Sequence, residues 1–142
     1  MSKKDIEKRV FSCAGQVLYE KGYISPIDIL IKMERITPKQ AEDWRFKRIP
    51  YLERVTIGNL SKLNHILKSL AKFARERNLQ PSKRVYMSWG KGAKQRLRFS
   101  KSDSPYMEEL YSTHYVKVQK AGSQPMENDK SAKAEQGGII KS

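Results

Sequence analysis

Three times this chain sets a hydroxyl residue directly before a proline: Ser25-Pro26, Thr37-Pro38 and Ser104-Pro105. Each pair is a helix start. The hydroxyl accepts a hydrogen bond from an N–H of the first turn, and proline needs no partner at the first helical position. The preceding residue is pushed out of the α region, so no helix runs through these junctions. Pro50 and Pro81 add two further breaks. A chain punctuated in this way is confined to short helices, apart from its uninterrupted stretches.

Two such stretches carry apolar residues at three- and four-residue spacing. In the first, residues 3–21, Ile6, Val10, Cys13, Ala14, Val17 and Leu18 form one stripe, and Gly22 is a suitable stop. The second runs from Tyr51 to Asn78 through Leu52, Val55, Leu60, Leu63, Leu67, Leu70 and Ala74, with Ile66 and Phe73 widening the stripe. Gly58-Asn59 bends or interrupts it. This segment is the expected central core helix. Between the two lie short helices over 26–33 and 38–47, and a last one runs from Ser104-Pro105 to Ser112.

The character changes after Pro81. Val85-Tyr86-Met87-Ser88-Trp89 is β-branched and aromatic, Gly90-Lys91-Gly92 is turn chemistry, and Gln95 to Ser100 alternates polar with apolar residues. A β-hairpin is expected, with Leu97 and Phe99 on one face and Arg96 and Arg98 on the other. Beyond Val118 hydrophobic residues are sparse until Ile139-Ile140, and 119–142 is expected to be a disordered tail. The expected fold is therefore α+β, mainly α. Residues 1–118 form a single basic domain holding a helix-turn-helix-like pair and a basic hairpin.

Charge narrows the function. The 142 residues carry 29 Lys+Arg against 15 Asp+Glu, a formal charge of +14. Such an excess favours a polyanionic partner over a neutral one. Its densest part is 83–101, where Lys83, Arg84, Lys91, Lys94, Arg96, Arg98 and Lys101 stand without one acidic residue. Cations there neutralise phosphate and release counterions, and the interleaved Tyr86 and Trp89 offer faces for base stacking. The bland alternative is a solvated edge that discourages strand aggregation, with the apolar residues in the core. Gly90-Lys91-Gly92 lacks the spacing of a phosphate-binding P-loop.

The helices at 26–33 and 38–47 have the length pattern of a helix-turn-helix. On that reading Ala41 and Trp44 pack inward, Gln40 meets a base edge, and Lys39, Arg45, Lys47 and Arg48 reach phosphates. Three features depart from it. Glu34-Arg35 stands where a glycine usually turns the chain, Ile31 is large for a crossing point, and Glu42 and Asp43 repel phosphate. Plain structural packing is the competing account. Trp44 is assigned to the core because it shares the inner face with Ala41.

Signs of catalysis are weak. His65 and His114 are isolated, and neighbouring Glu108 and Glu109 point to different helix faces. A nuclease built on Asp103, Glu108 and His114 is the least favoured reading. The lone cysteine, Cys13, permits no internal disulfide and sits in an apolar stripe as a small buried thiol. No cofactor, metal site or membrane span is expected.

The motifs SPIDILIKM, DWRFKRIPYLERV with GNLSKL, WGKGAKQRLRFSKSDSP and THYV resemble those of a family of bacterial proteins without an assigned activity, over residues 8–118. The resemblance implies a soluble, cytoplasmic setting. It also implies that the hairpin and last helix pack on the helical core. The reading that results is a non-catalytic protein that binds RNA or DNA. The alternative is an interaction module for an acidic protein partner.

Overall fold

The computed structural model describes residues 2–118. The expected tail at 119–142 lies outside them. The first helix, α1 (Lys3–Lys21), begins at a capping box: the Ser2 hydroxyl accepts from the Asp5 N–H, and the Asp5 carboxylate accepts from the Ser2 N–H. It ends where Gly22 turns left-handed at φ 82°, its N–H donating to the Leu18 carbonyl. The six stripe residues are all buried.

They face α4 (Leu60–Glu76), which buries Leu63, Ile66, Leu67, Leu70, Phe73 and Ala74. Phe11 meets Phe73 edge-on at 5.3 Å, and Lys72 pairs with Glu7 at 3.0 Å. Each large aliphatic side chain so buried contributes about 1.5–3 kcal/mol. The second periodic segment is thus divided. A 3-10 turn at Leu52–Arg54 comes first, Gly58 follows at φ 126°, and Asn59 caps α4 through its side-chain oxygen.

The short helices are α2 (Pro26–Lys32) and α3 (Pro38–Arg45), capped by Ser25 and Thr37. In the connection, Glu34 adopts φ 60°. A non-glycine residue therefore takes the left-handed position that a turn between helices calls for. The pair does not have the close packing of a helix-turn-helix. A groove lies between them, bordered by Ile27, Asp28 and Ile31 on one side and Pro38, Ala41, Glu42 and Arg45 on the other. Helix α2 packs on α1 and on the last helix, α5 (Pro105–Ser112), whereas α3 is anchored through Trp44.

A three-stranded antiparallel sheet completes the architecture, and sequence periodicity gave no warning of it. Its strands are β1 (Tyr23–Ile24), β2 (Gln80–Lys83) and β3 (Thr113–Val116), in the order β1-β3-β2. Tyr23 opposes Val116, Gln80 opposes the same Val116 from the other side, and Lys83 opposes Thr113. Strand β3 follows α5 without a loop. Its Thr113 and Tyr115 turn into the core, and His114 falls on the opposite face.

The hairpin departs from expectation in its regularity. Its arms, 85–89 and 95–100, share one bridge, Met87 with Arg96, flanked by two hydrogen bonds: Leu97 N–H to the Tyr86 carbonyl and Ser88 N–H to the Gln95 carbonyl, both 2.8 Å. Several other backbone groups of the arms are engaged elsewhere. Trp89 N–H donates to the Arg45 carbonyl at 2.7 Å, and the Arg98 and Phe99 carbonyls accept from Leu52 and Glu53 N–H. The arms exchange a ladder with each other for bonds to the rest of the fold. As expected, Leu97 and Phe99 are buried.

Candidate nucleic-acid interface

Two carboxylates fix the second arm of the hairpin. Glu108 is only 4% exposed, and it accepts from Phe99 N–H, Ser100 N–H (2.7 Å) and the Ser100 hydroxyl (2.7 Å). Glu53 accepts from Lys101 N–H at 2.9 Å and from the Tyr111 hydroxyl at 2.8 Å. Burial, followed by the hydrogen bond to Glu53, pushes the Tyr111 phenol above its ordinary range. Both carboxylates are therefore engaged by neutral backbone and hydroxyl donors, and neither forms an ion pair with a hairpin cation among the described residues.

The cations differ in what they do. Among the described residues, Lys83 pairs with Glu109 at 3.4 Å, and no other cation of 83–101 has an ion pair. Arg84, Lys91, Lys94, Arg96 and Lys101 are exposed. Lys94 bonds back to the Gly90 carbonyl at 2.6 Å and closes the tip. Arg98, expected to point outward, instead folds back: its guanidinium donates to the Ser100 and Lys101 carbonyls and lies over the Tyr51 ring.

Helix α3 presents less charge than its composition promises. Asp43 takes Arg48 at 2.9 Å and Lys39 at 3.1 Å, and these bonds hold its carboxyl below the ordinary range. Gln40 does not offer a free amide to a base edge. Its side-chain oxygen accepts from Thr37 N–H at 3.0 Å, which completes a capping box. Lys47 lies past the helix at φ 60°, exposed and without an ion pair among the described residues. Trp44 is fully buried, as assigned, and donates its indole N–H to the Arg98 carbonyl at 2.7 Å.

Arg45, expected on phosphate, sits between aromatic rings. Its guanidinium carbon lies 4.5 Å from the centre of the Trp89 ring and 5.1 Å from that of Tyr86. Burial pulls its pKa down, and its Nε has no hydrogen-bond partner. Tyr86, expected to stack on bases, instead turns inward against Trp44 and Phe99. Trp89 remains 48% exposed. It meets Phe46 edge-on at 5.6 Å.

These residues open onto the groove between α2 and α3, a cavity of about 450 Å³ that also reaches Lys21, Tyr23, Ser25 and His114. The Tyr86 hydroxyl and His114 Nε2 share a hydrogen bond of 2.6 Å, and the His114 ring stacks on Tyr23. Burial, with the nearby Arg84 charge, pulls the His114 pKa down to about 4, so the imidazole is neutral at pH 7. Burial pushes the Tyr86 phenol the other way. Asp28 accepts from Lys21 and from the Ser25 hydroxyl, each at 2.9 Å.

A second cavity, also about 450 Å³, is bordered by Lys83, Arg84 and Arg96 facing Asp103, Glu108 and Glu109. The trio considered for a nuclease is thus divided, with Asp103 and Glu108 in one groove and His114 in the other. Among the described residues no group of three His, Cys, Asp or Glu could hold a metal ion, and no helix is long and apolar enough to cross a membrane. Compared with family models, curated proteins and solved structures, the chain matches none of them.

Proposed function

We propose that this chain is a non-catalytic nucleic-acid-binding protein whose binding surface is the outer side of the hairpin at 83–101. One observation carries this reading: Arg84, Lys91, Lys94, Arg96 and Lys101 stay exposed and without an ion pair among the described residues, while Glu53 and Glu108 hold the hairpin backbone. A polyanion laid on this surface releases its condensed counterions, and the affinity gained falls steeply with salt. The helix-turn-helix-like pair has a supporting part. Trp44 and Arg45 hold the hairpin in place, and Lys47, exposed and without an ion pair among the described residues, is a further cation just past α3.

An acidic protein partner is the second reading. The exposed Val85 and Met87 favour it, since nucleic acid makes little use of aliphatic surface. Equilibrium binding of labelled RNA and duplex DNA over a salt series tests the first reading. Affinity in the micromolar range or tighter at low salt, falling linearly on logarithmic axes, is expected. Absence of binding in dilute buffer would sink it.

A further inference from the structure

We propose that the groove between α2, α3 and the hairpin takes a single unstacked nucleobase from a nucleic-acid strand lying on the hairpin. The inference rests on the nucleic-acid reading and adds a site to it. The cavity volume of about 450 Å³ lies within the usual range for small-ligand sites.

Its walls suit a flat heterocycle. Trp89 stands at the mouth, nearly half open to solvent. The ring is held by Phe46 edge-on at 5.6 Å and by the Arg45 guanidinium, whose carbon lies 4.5 Å from its centre, and the backbone N–H beneath it donates to the Arg45 carbonyl at 2.7 Å. The ring is therefore positioned before any ligand arrives, and little side-chain freedom is lost on stacking. Bases pulled out of a helix are commonly recognised in this way, by stacking plus hydrogen bonds to their edge.

The polar groups argue for a base over a phosphate. Lys21 and Arg45 are balanced by Asp28 and Glu42, and His114 is neutral at pH 7. A groove with no net charge gives an anion no advantage. It offers a heterocycle both a carboxylate acceptor, Asp28, and a guanidinium donor, Arg45. Trp89 is followed directly by the tip Gly90-Lys91-Gly92, so a strand that places a base here meets Lys91 and Lys94 with its phosphates.

The test compares two labelled single strands of about ten nucleotides, a length within the usual site sizes for single-strand binders. One is intact RNA and the other has the same sugar-phosphate backbone without bases. The full chain is expected to bind the intact strand about tenfold more tightly. Trp89→Leu should lower intact-strand binding to the abasic level while abasic binding stays unchanged, and Trp89→Phe should restore most of the difference. Equal affinity of the wild-type chain for both strands overturns the groove but leaves salt-dependent hairpin binding standing, and this comparison needs no variant to fold. A preference that survives Trp89→Leu also overturns it. Failure to bind either strand at low salt overturns the groove and the nucleic-acid reading together.

Discussion

The indole N–H of Trp44 donates to the carbonyl of Arg98 at 2.7 Å, across 54 positions of sequence. This bond fastens the end of α3 to the second arm of the hairpin. Trp89 N–H on the Arg45 carbonyl fastens the same helix to the first arm. The most basic segment of the chain is thus held from beneath at both arms, and its position is set by the core and not by its own ladder.

Trp44→Phe removes the first of these fastenings and leaves a small cavity. The Arg98 carbonyl keeps the Leu52 N–H, so the acceptor is not wholly stranded. A loss of about 2 kcal/mol is expected, and about 4 kcal/mol for Trp44→Ala. Urea unfolding followed by tryptophan fluorescence measures both. An unchanged midpoint for Trp44→Ala would mean that the indole is not a core residue.

Glu108→Ala strands three buried donors, the N–H groups of Phe99 and Ser100 and the Ser100 hydroxyl. A cost of at least about 3 kcal/mol follows, since each unsatisfied buried group costs roughly 1–3 kcal/mol. Glu108→Gln keeps an acceptor oxygen and should lose less. Amide hydrogen exchange at Phe99 and Ser100 should quicken in both variants, more so in the alanine. Unaltered protection there would refute the tether.

Acid should destabilise the fold through His114. Its folded pKa is about 4, below the ordinary value of 6.5, so the unfolded chain binds the proton more tightly. The stability this neutral histidine brings is fully present above pH 6.5 and drains away as pH falls toward 4. The total is at most about 3 kcal/mol, reduced by whatever solvent reaches the ring. Unfolding free energies at pH 7.5 and pH 5, for wild type and His114→Gln, isolate the slope. An equal slope in the variant would assign the acid sensitivity elsewhere.

Replacing Lys91, Lys94 and Arg96 together with glutamine removes three exposed charges without touching a buried bond of the arms. Affinity for nucleic acid should fall for every sequence tested. The logarithmic salt slope should flatten by about one for each phosphate no longer neutralised. Melting temperature should stay within a few degrees of wild type, because surface substitutions cost roughly 0.5 kcal/mol or less each. An unchanged slope would take the tip out of the binding surface.

Legibility followed the range of the interaction. Helices α1 and α4 and all three proline starts were readable because caps and apolar spacing are local. Strand β3 was not. Its four residues, Thr113 to Val116, follow α5 directly, and their extended form comes from partners at Tyr23–Ile24 and Gln80–Lys83. Gln80–Lys83 holds a proline and no β-branched or aromatic residue, which only an edge strand tolerates.

The groove has no spacing rule to reveal it, since Tyr23, Asp28, Arg45, Tyr86, Trp89 and His114 come from five separate segments. Gln40 is different. The run Thr37-Pro38-Lys39-Gln40 is a capping-box pattern, and that signal was sufficient to withdraw its amide from base recognition.

The middle strand of the sheet comes last in sequence. While the chain is being synthesised, β1 and β2 both leave the ribosome before the segment that joins them exists. Neither can make its native ladder until Thr113–Val116 has been made. A protease that cuts between α5 and Val116 should therefore release both outer strands at once.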